Sequence, residues 1–206
     1  MKQVIIFLLL SITLFFVFCE DKSTSPPNRD DPGYYYPRQT GYGWRYIELI
    51  KPGCYETHDS FDLEIVGIKT RDSNRGYDRL KYRRGVSSDD TVFIYVKGDA
   101  IIEESVKSGT KLYVLVGPIE AGKSWKDGYW EYFIQRLENV TLTIDSSVTY
   151  KGCAKIMKRK SNSTTRIYEW WAPQFGKVRE ERRDANGVCQ RAEELRYFTP
   201  TGFSYP

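Results

Sequence analysis

Short runs of alternating apolar and polar residues, split by Gly, Pro, Asn and Asp, fill residues 44–198. Residues 44–50 and 61–69 alternate, the second setting Phe61, Leu63 and Ile65 against Asp62 and Glu64. Residues 77–84 place Leu80 and Tyr82 between Arg79, Lys81 and Arg83. Residues 91–97, 111–116, 129–137, 140–145, 153–158, 164–171, 178–183 and 188–198 read as further strands. Residues 100–106 read as a strand, although the Ile101-Ile102-Glu103-Glu104 run also suits a helical turn. Asn186-Gly187 between the last two runs is a hairpin signal, because both residues tolerate the positive φ of a tight turn. No segment sustains an apolar period of 3.6 residues, so the pattern predicts an antiparallel all-β domain over residues 34–206.

The pattern also repeats. Pro37-x3-Gly41-x2-Trp44 recurs at the same spacing as Pro118-x3-Gly122-x2-Trp125. Lys51-Pro-Gly-Cys54 is echoed by Lys151-Gly-Cys153. An aromatic run, a glycine turn and a Glu pair close each set, with Glu103-Glu104 in one and Glu180-Glu181 in the other. This predicts two weakly repeated halves, 34–110 and 111–206. In each, Pro and Gly would make a tight entry to a strand and Trp would bury a large ring at its start.

Residues 1–18 differ from all of this. Lys2 precedes an almost unbroken apolar run over residues 4–18, the length of a signal-peptide core and short of the roughly 20 residues that span a bilayer. The run ends at Cys19, which resembles the acylated cysteine of a bacterial lipobox, with Phe18 standing where the lipobox has a small residue. An uncleaved anchor helix and a plain secretory signal are the alternatives. Residues 19–33 then hold Pro, Ser and charge with no large apolar side chain, so they read as the lipidated cysteine and a disordered tether. A diacylated cysteine would hold the chain on its membrane almost permanently. The expected location is the cell envelope, at the outer membrane in preference to the inner, with the membrane as a partner through the anchor.

Composition supports strands and removes one class of partner. The chain has 16 Tyr, 10 Phe and 5 Trp, residues that suit half-buried pleated surfaces. A net charge of +4 is too mild to argue for nucleic acid. Cys54, Cys153 and Cys189 could form at most one bridge, whose members stay open, and no spacing suggests a metal site.

Residues 117–124, Gly-Pro-Ile-Glu-Ala-Gly-Lys-Ser, fit the phosphate-loop pattern G-x4-G-K-[ST]. A working phosphate loop needs a helix immediately after it, to aim N–H groups at the phosphates. Here Asp127-Gly128 is a turn signal and an aromatic run follows, so the repeat explains Gly122 and Trp125 better and leaves Lys123 and Ser124 facing solvent. His58 lies in a polar stretch and reads as a solvated loop histidine. Asp89-Asp90 and Glu103-Glu104 lack calcium-loop spacing. The basic clusters at 155–160 and 179–183 read as solvated strand faces, or as contacts for anionic lipid or polysaccharide. No catalytic residue and no cofactor is implied.

Tyr35-Tyr-Pro37-x3-Gly41-x2-Trp44-x-Tyr46, Tyr150-Lys-Gly-Cys153-Ala-Lys-Ile156 and Tyr168-Glu-Trp-Trp171-Ala-Pro173-x2-Gly176-Lys-Val178 resemble, in order, a family of uncharacterised bacterial lipoproteins. Gln174-Phe175 departs from that family's Gly-Val, and Gly152 directly precedes Cys153. The resemblance implies a curved antiparallel sheet, a half-barrel like that of the lipoprotein-sorting factors, and no established activity. Two roles are therefore expected. One is a non-enzymatic envelope protein that binds a protein or lipid partner or supports envelope structure. The other is a carrier of an apolar ligand, with Trp44, Trp125, Trp130, Trp170 and Trp171 facing it from the concave side of the sheet.

Overall fold

The computed structural model describes residues 28–83, 86–87 and 91–200. The signal segment, Cys19 and Asp89-Asp90 lie outside the described residues. Among the described residues a single helical turn, α1 (Pro32–Tyr35), precedes thirteen strands. These are β1 (Gly43–Ile50), β2 (Glu56–Arg71), β3 (Asn74–Arg83), β4 (Val86–Ser87), β5 (Val92–Lys97), β6 (Ala100–Ser105) and β7 (Lys111–Val116), then β8 (Ser124–Asp127), β9 (Trp130–Thr141), β10 (Thr149–Lys160), β11 (Arg166–Ala172), β12 (Gly176–Arg183) and β13 (Cys189–Thr199).

All pairings are antiparallel, and the strand order is β7-β6-β5-β3-β2-β1-β13-β12-β11-β10-β9-β8, with β4 beside β3. Every neighbour on that path is also the next main strand in sequence, except where β13 returns to β1. The two edge strands, β7 and β8, meet side by side without a backbone ladder. The Tyr113 N–H donates to the Asp127 carboxylate at 2.9 Å, and the Trp125 indole N–H donates to the Tyr113 carbonyl at 2.8 Å. The curvature thus goes past a half-barrel: the sheet is an up-and-down barrel, nearly closed, with one seam made by side chains. Side chains cap the open edges at that seam, a common way to keep a sheet edge from pairing with another chain.

The repeat is real at the level of the backbone. Gly41 (φ 88°) and Gly122 (φ 93°) adopt the same left-handed conformation, which a side chain would strain. The Gly41 N–H donates to the Ile65 carbonyl, and the Ile65 N–H returns to the Tyr42 carbonyl. The Gly122 N–H donates to the Ile134 carbonyl, and the Ile134 N–H returns to the Lys123 carbonyl. Ile65 and Ile134 are both fully buried. Each Trp that follows donates its indole N–H to a backbone carbonyl, Trp44 to Phe175 at 2.6 Å and Trp125 to Tyr113. The β5–β6 and β11–β12 hairpins correspond as well. In both, the first Glu of the pair (Glu103, Glu180) faces the lumen and the second faces outward. The cysteine echo does not correspond, since Cys54 sits in the β1–β2 turn and Cys153 inside β10. The two edge strands β7 and β8 are joined by residues 117–123, which lie at the seam.

Two local outcomes differ from the expected elements, and the open cysteine pairing is resolved. The stretch read as two strands, 129–137 and 140–145, is one strand, β9, followed by a loop that folds over the outer face. The Thr143 and Ile144 N–H groups bond the Glu194 carboxylate (2.8 and 2.9 Å) in place of a neighbouring strand. Order begins before Tyr34: Asp31 caps α1 by accepting the Gly33 N–H, and the Asp30 carbonyl accepts the Ile119 N–H. The bridge joins Cys54 and Cys189 across 135 residues of sequence, leaving Cys153 as a buried thiol. The Asn186-Gly187 hairpin forms as read, with Gly187 at φ 80° and the Asp184 carboxylate accepting the Asn186 and Val188 N–H groups.

Candidate functional site

Cross-strand partners share a face, and the pairing register puts an unusual set of side chains inside the barrel. Along β3 the inward positions are Tyr77, Arg79, Lys81 and Arg83, opposite Ile65 and Leu63 of β2. Glu169 of β11 pairs with Glu180 of β12, and Glu180 in turn with Glu193 of β13, which opposes Glu48 of β1. Leu80 and Tyr82, the apolar positions of β3, face outward, where neighbouring Glu64 and Asp62 oppose them. The lumen therefore runs from an apolar end to a charged one.

Residues 28–42 close the apolar end. The Tyr34 carbonyl accepts the Gln174 N–H of the β11–β12 turn at 2.7 Å, and the Tyr35 hydroxyl donates to the Gly152 carbonyl at 3.4 Å. Tyr35 and Tyr36 are buried with Ile94, Ile101, Leu115, Ile134, Ile156 and Trp171. Pro32 packs on Gly117, where a methyl group would come within 3.0 Å of the proline ring. The phosphate-loop look-alike is thus a surface on which the N-terminal segment rests. It is followed by β8, not a helix, and Ser124 is exposed.

A cavity of about 140 Å³ lies below this plug, lined by Tyr36, Trp44, Tyr46, Arg79, Glu103, Lys158, Glu169, Trp171 and Lys177 among others. On one wall Arg79 holds Glu103 through two bonds, at 2.7 and 3.0 Å. Tyr36 donates to the same carboxylate at 2.6 Å, accepts from Arg79, and stacks on Trp171 with ring centroids 5.3 Å apart. On the facing wall Lys158 pairs with Glu169, and Lys177 with Glu180 at 2.5 Å. Toward the far end Arg83 bridges Glu48 (2.8 Å) and Asp59 (2.6 Å), and Arg191 adds a second bond to Glu48.

These pairs set the protonation states. Burial works to raise the Glu103 pKa, but the Arg79 guanidinium and the Tyr36 hydroxyl outweigh it, and the group titrates below the usual carboxylate range. Burial likewise opposes ionisation of Glu180, and Lys177 and Lys158 bring it down to about 2. Lys177 and Lys158 are pushed up by Glu180, Glu193 and Glu169 against the effect of burial. Burial raises the Tyr36 hydroxyl well above its ordinary value. All four partners stay charged over the whole physiological range. What the lumen offers is a fixed array of compensated charge beside two indole rings.

The five tryptophans do not act as one surface. Trp44 and Trp171 line the lumen cavity. Trp125 stacks on Tyr132 (5.0 Å) and borders an open groove of about 530 Å³ with Phe133 and Met157. Trp130 packs partly buried against the apolar cluster near the plug, with the Lys158 ammonium 5.9 Å from its ring. Trp170 points out of the barrel, donating to Glu138 at 2.7 Å beneath Lys155 and Arg179. The basic clusters are solvated only in part: Arg159, Lys160 and Arg182 are exposed, and the others are not. Lys158 belongs to the lumen, and Arg179 and Arg183 both grip Glu181 at 2.5 Å. Glu103 is committed to Arg79, and among the described residues no group of three His, Cys, Asp or Glu could hold a metal ion. His58 is exposed on β2, and burial pushes the Cys153 thiol up to about 12.

No protein-family model matches the chain, and no curated protein matches it. Solved structures do. A candidate lipoprotein from Parabacteroides distasonis ATCC 8503 is 14% identical, with 81% of this chain and 98% of that one covered and a TM-score of 0.42. A candidate exported protein with a YmcC-like fold from Bacteroides fragilis NCTC 9343 is 12% identical, with 81% and 99% covered and a TM-score of 0.47. A DUF1329-family protein from Desulfovibrio piger ATCC 29098 is 9% identical, with 82% and 89% covered and a TM-score of 0.24. All three scores fall below 0.5, and the likeness carries no argument about what the chain does.

Proposed function

We propose that this chain is a lipid-anchored, non-enzymatic protein of the bacterial cell envelope, at the outer membrane, whose rigid barrel binds an envelope partner or supports envelope structure. The observation that carries this reading is Cys19 at the end of an apolar export segment. Residues 20–27 separate it from the first described residue of the plug, a stretch that spans at most about 30 Å. The plugged end would then face the membrane, and the Cys54–Cys189 end would face away. The disulfide supports export, since such bonds persist in oxidising compartments. Ion-paired acids and bases throughout the lumen support a non-enzymatic role. Palmitate labelling of the wild type against Cys19→Ala tests the anchor, and equal labelling of the two would overturn it.

A carrier of apolar ligand has less support. Pockets for small ligands begin near about 300 Å³, and a cavity of about 150 Å³ suits a single benzene ring. The lumen cavity, about 140 Å³ and lined by five charged side chains, would have to expand and expose ion pairs to an acyl chain. Native mass spectrometry of the purified protein separates the readings, because a carrier would arrive with stoichiometric lipid.

A further inference from the structure

The plugged end carries a second, separate pocket of about 280 Å³, lined by Arg38, Arg75, Gly76, Tyr77, Tyr95 and Val96. It lies between the N-terminal segment, which brings Arg38, and the start of β3, which brings Arg75. The Arg38 Nη1 is buried without a hydrogen-bond partner. Among the described residues neither the half-buried Arg38 nor the exposed Arg75 forms an ion pair, in a protein whose buried cations are almost all matched to a carboxylate. Asp31 is the acid whose charge acts on Arg38, and its Oδ1 accepts the Gly33 N–H at 2.7 Å. Burial lowers the Arg38 pKa, as befits a charge without a full counter-charge. An unmatched buried donor is costly, and evolution seldom leaves one without a partner.

We propose that this pocket binds a phosphoryl group, with Arg38 and Arg75 as its ligating pair. A guanidinium presents planar, forked N–H donors that match two phosphoryl oxygens at once, and two such forks neutralise a dianion. The volume leaves room for a small alcohol on the phosphate. The ligand could be a free phosphate or the headgroup of an anionic lipid. The second source rests on the anchored orientation proposed above; the site itself does not.

The test uses the mature full chain in neutral detergent. Its melting temperature is followed while inorganic phosphate or dihexanoyl phosphatidate is titrated against chloride at matched ionic strength, in the wild type, Arg38→Gln and Arg75→Gln. A ligand that binds only the folded state raises the melting temperature saturably. The expected result is a saturable rise in the wild type, with the apparent Kd weakened tenfold or more in each variant. Tighter binding of phosphatidate points to the headgroup; equal binding of the two probes points to free phosphate. Arg75 is exposed and unpaired, so Arg75→Gln should melt as the wild type does in chloride and decides the matter even if Arg38→Gln fails to fold. No saturable response to either probe, or the same response in wild type and Arg75→Gln, overturns the proposal. A chain found without lipid on Cys19 should still bind inorganic phosphate, so the two readings fail separately.

Discussion

Replacing Arg79 with Met should destabilise the barrel far more than the loss of one surface ion pair would. Arg79 and Glu103 retain only 16% and 17% of their side-chain surface, so water cannot fully replace a missing partner. With Arg79 gone, Glu103 keeps the Tyr36 hydroxyl and loses both guanidinium bonds. Breaking one side of a buried pair typically costs about 3–5 kcal/mol, while replacing both sides with apolar groups is often near neutral. The residual exposure favours the lower end, about 3 kcal/mol, for Arg79→Met and for Glu103→Leu. The double variant should lose less than either single one. Urea denaturation at pH 7 measures this, provided the slope m stays constant across the four proteins. Losses that simply add in the double variant would mean the two charges are solvated separately, and the compensated lumen would have to be abandoned.

Other outcomes follow from the same geometry. Glu180 and Glu103 have folded pKa values below the ordinary 4.5, so their stabilisation is present above about pH 4.5 and lost as pH falls toward 2; melting curves across pH should decline in that window. Lys177 and Lys158 are raised above the ordinary 10.5, so their contribution holds up to about that pH and fades only beyond it. Reducing Cys54–Cys189, or replacing both with Ser, releases a loop of 135 residues and should cost up to about 5 kcal/mol, seen as a drop in melting temperature. Cys153 should resist alkylation until the protein unfolds. Trp44→Ala, at 3% exposure, should cost about 3–5 kcal/mol. Trp125→Ala, whose ring is half-buried at the seam, should cost about half that, and Lys123→Ala should be nearly silent in the same denaturation assay.

The strands were legible because alternation marks them whichever face turns inward. What alternation cannot assign is the face itself when both sides carry long side chains. Arg79, Lys81 and Arg83 sit on every second position of β3, as a solvated edge would, and only the register with Ile65 and Leu63 shows them pointing into the barrel. Lys158 was hidden for the same reason, since its partner Glu169 lies on the neighbouring strand β11, whereas Lys177 pairs with Glu180 three residues along its own strand, a spacing that regular alternation would put on opposite faces. Glu138-Asn139, two polar residues in a row, interrupt the alternation of what is one continuous strand. In the fold Glu138 accepts the Trp170 indole and Asn139 accepts the Gly152 N–H, so both are satisfied without leaving the strand. The Pro-x3-Gly-x2-Trp spacing was the most informative signal, because it encodes a backbone geometry: a left-handed Gly bonded both ways to a buried Ile. The tryptophans were visible as bulk, but which face each takes is set by the register of its strand; Trp170 and Trp171 follow plain alternation, and the extra residue of the bulge beside them, Val178, lies on β12. Adjacent indoles there end on opposite sides of the sheet.

The measurement that bears most directly on the account is the intact mass of the protein purified from its native membrane. A lipid-anchored protein begins at Cys19 and carries acyl chains on that residue. A mature chain that begins elsewhere, or that carries an unmodified Cys19, would contradict the anchored reading and with it the orientation of the plugged end toward the membrane.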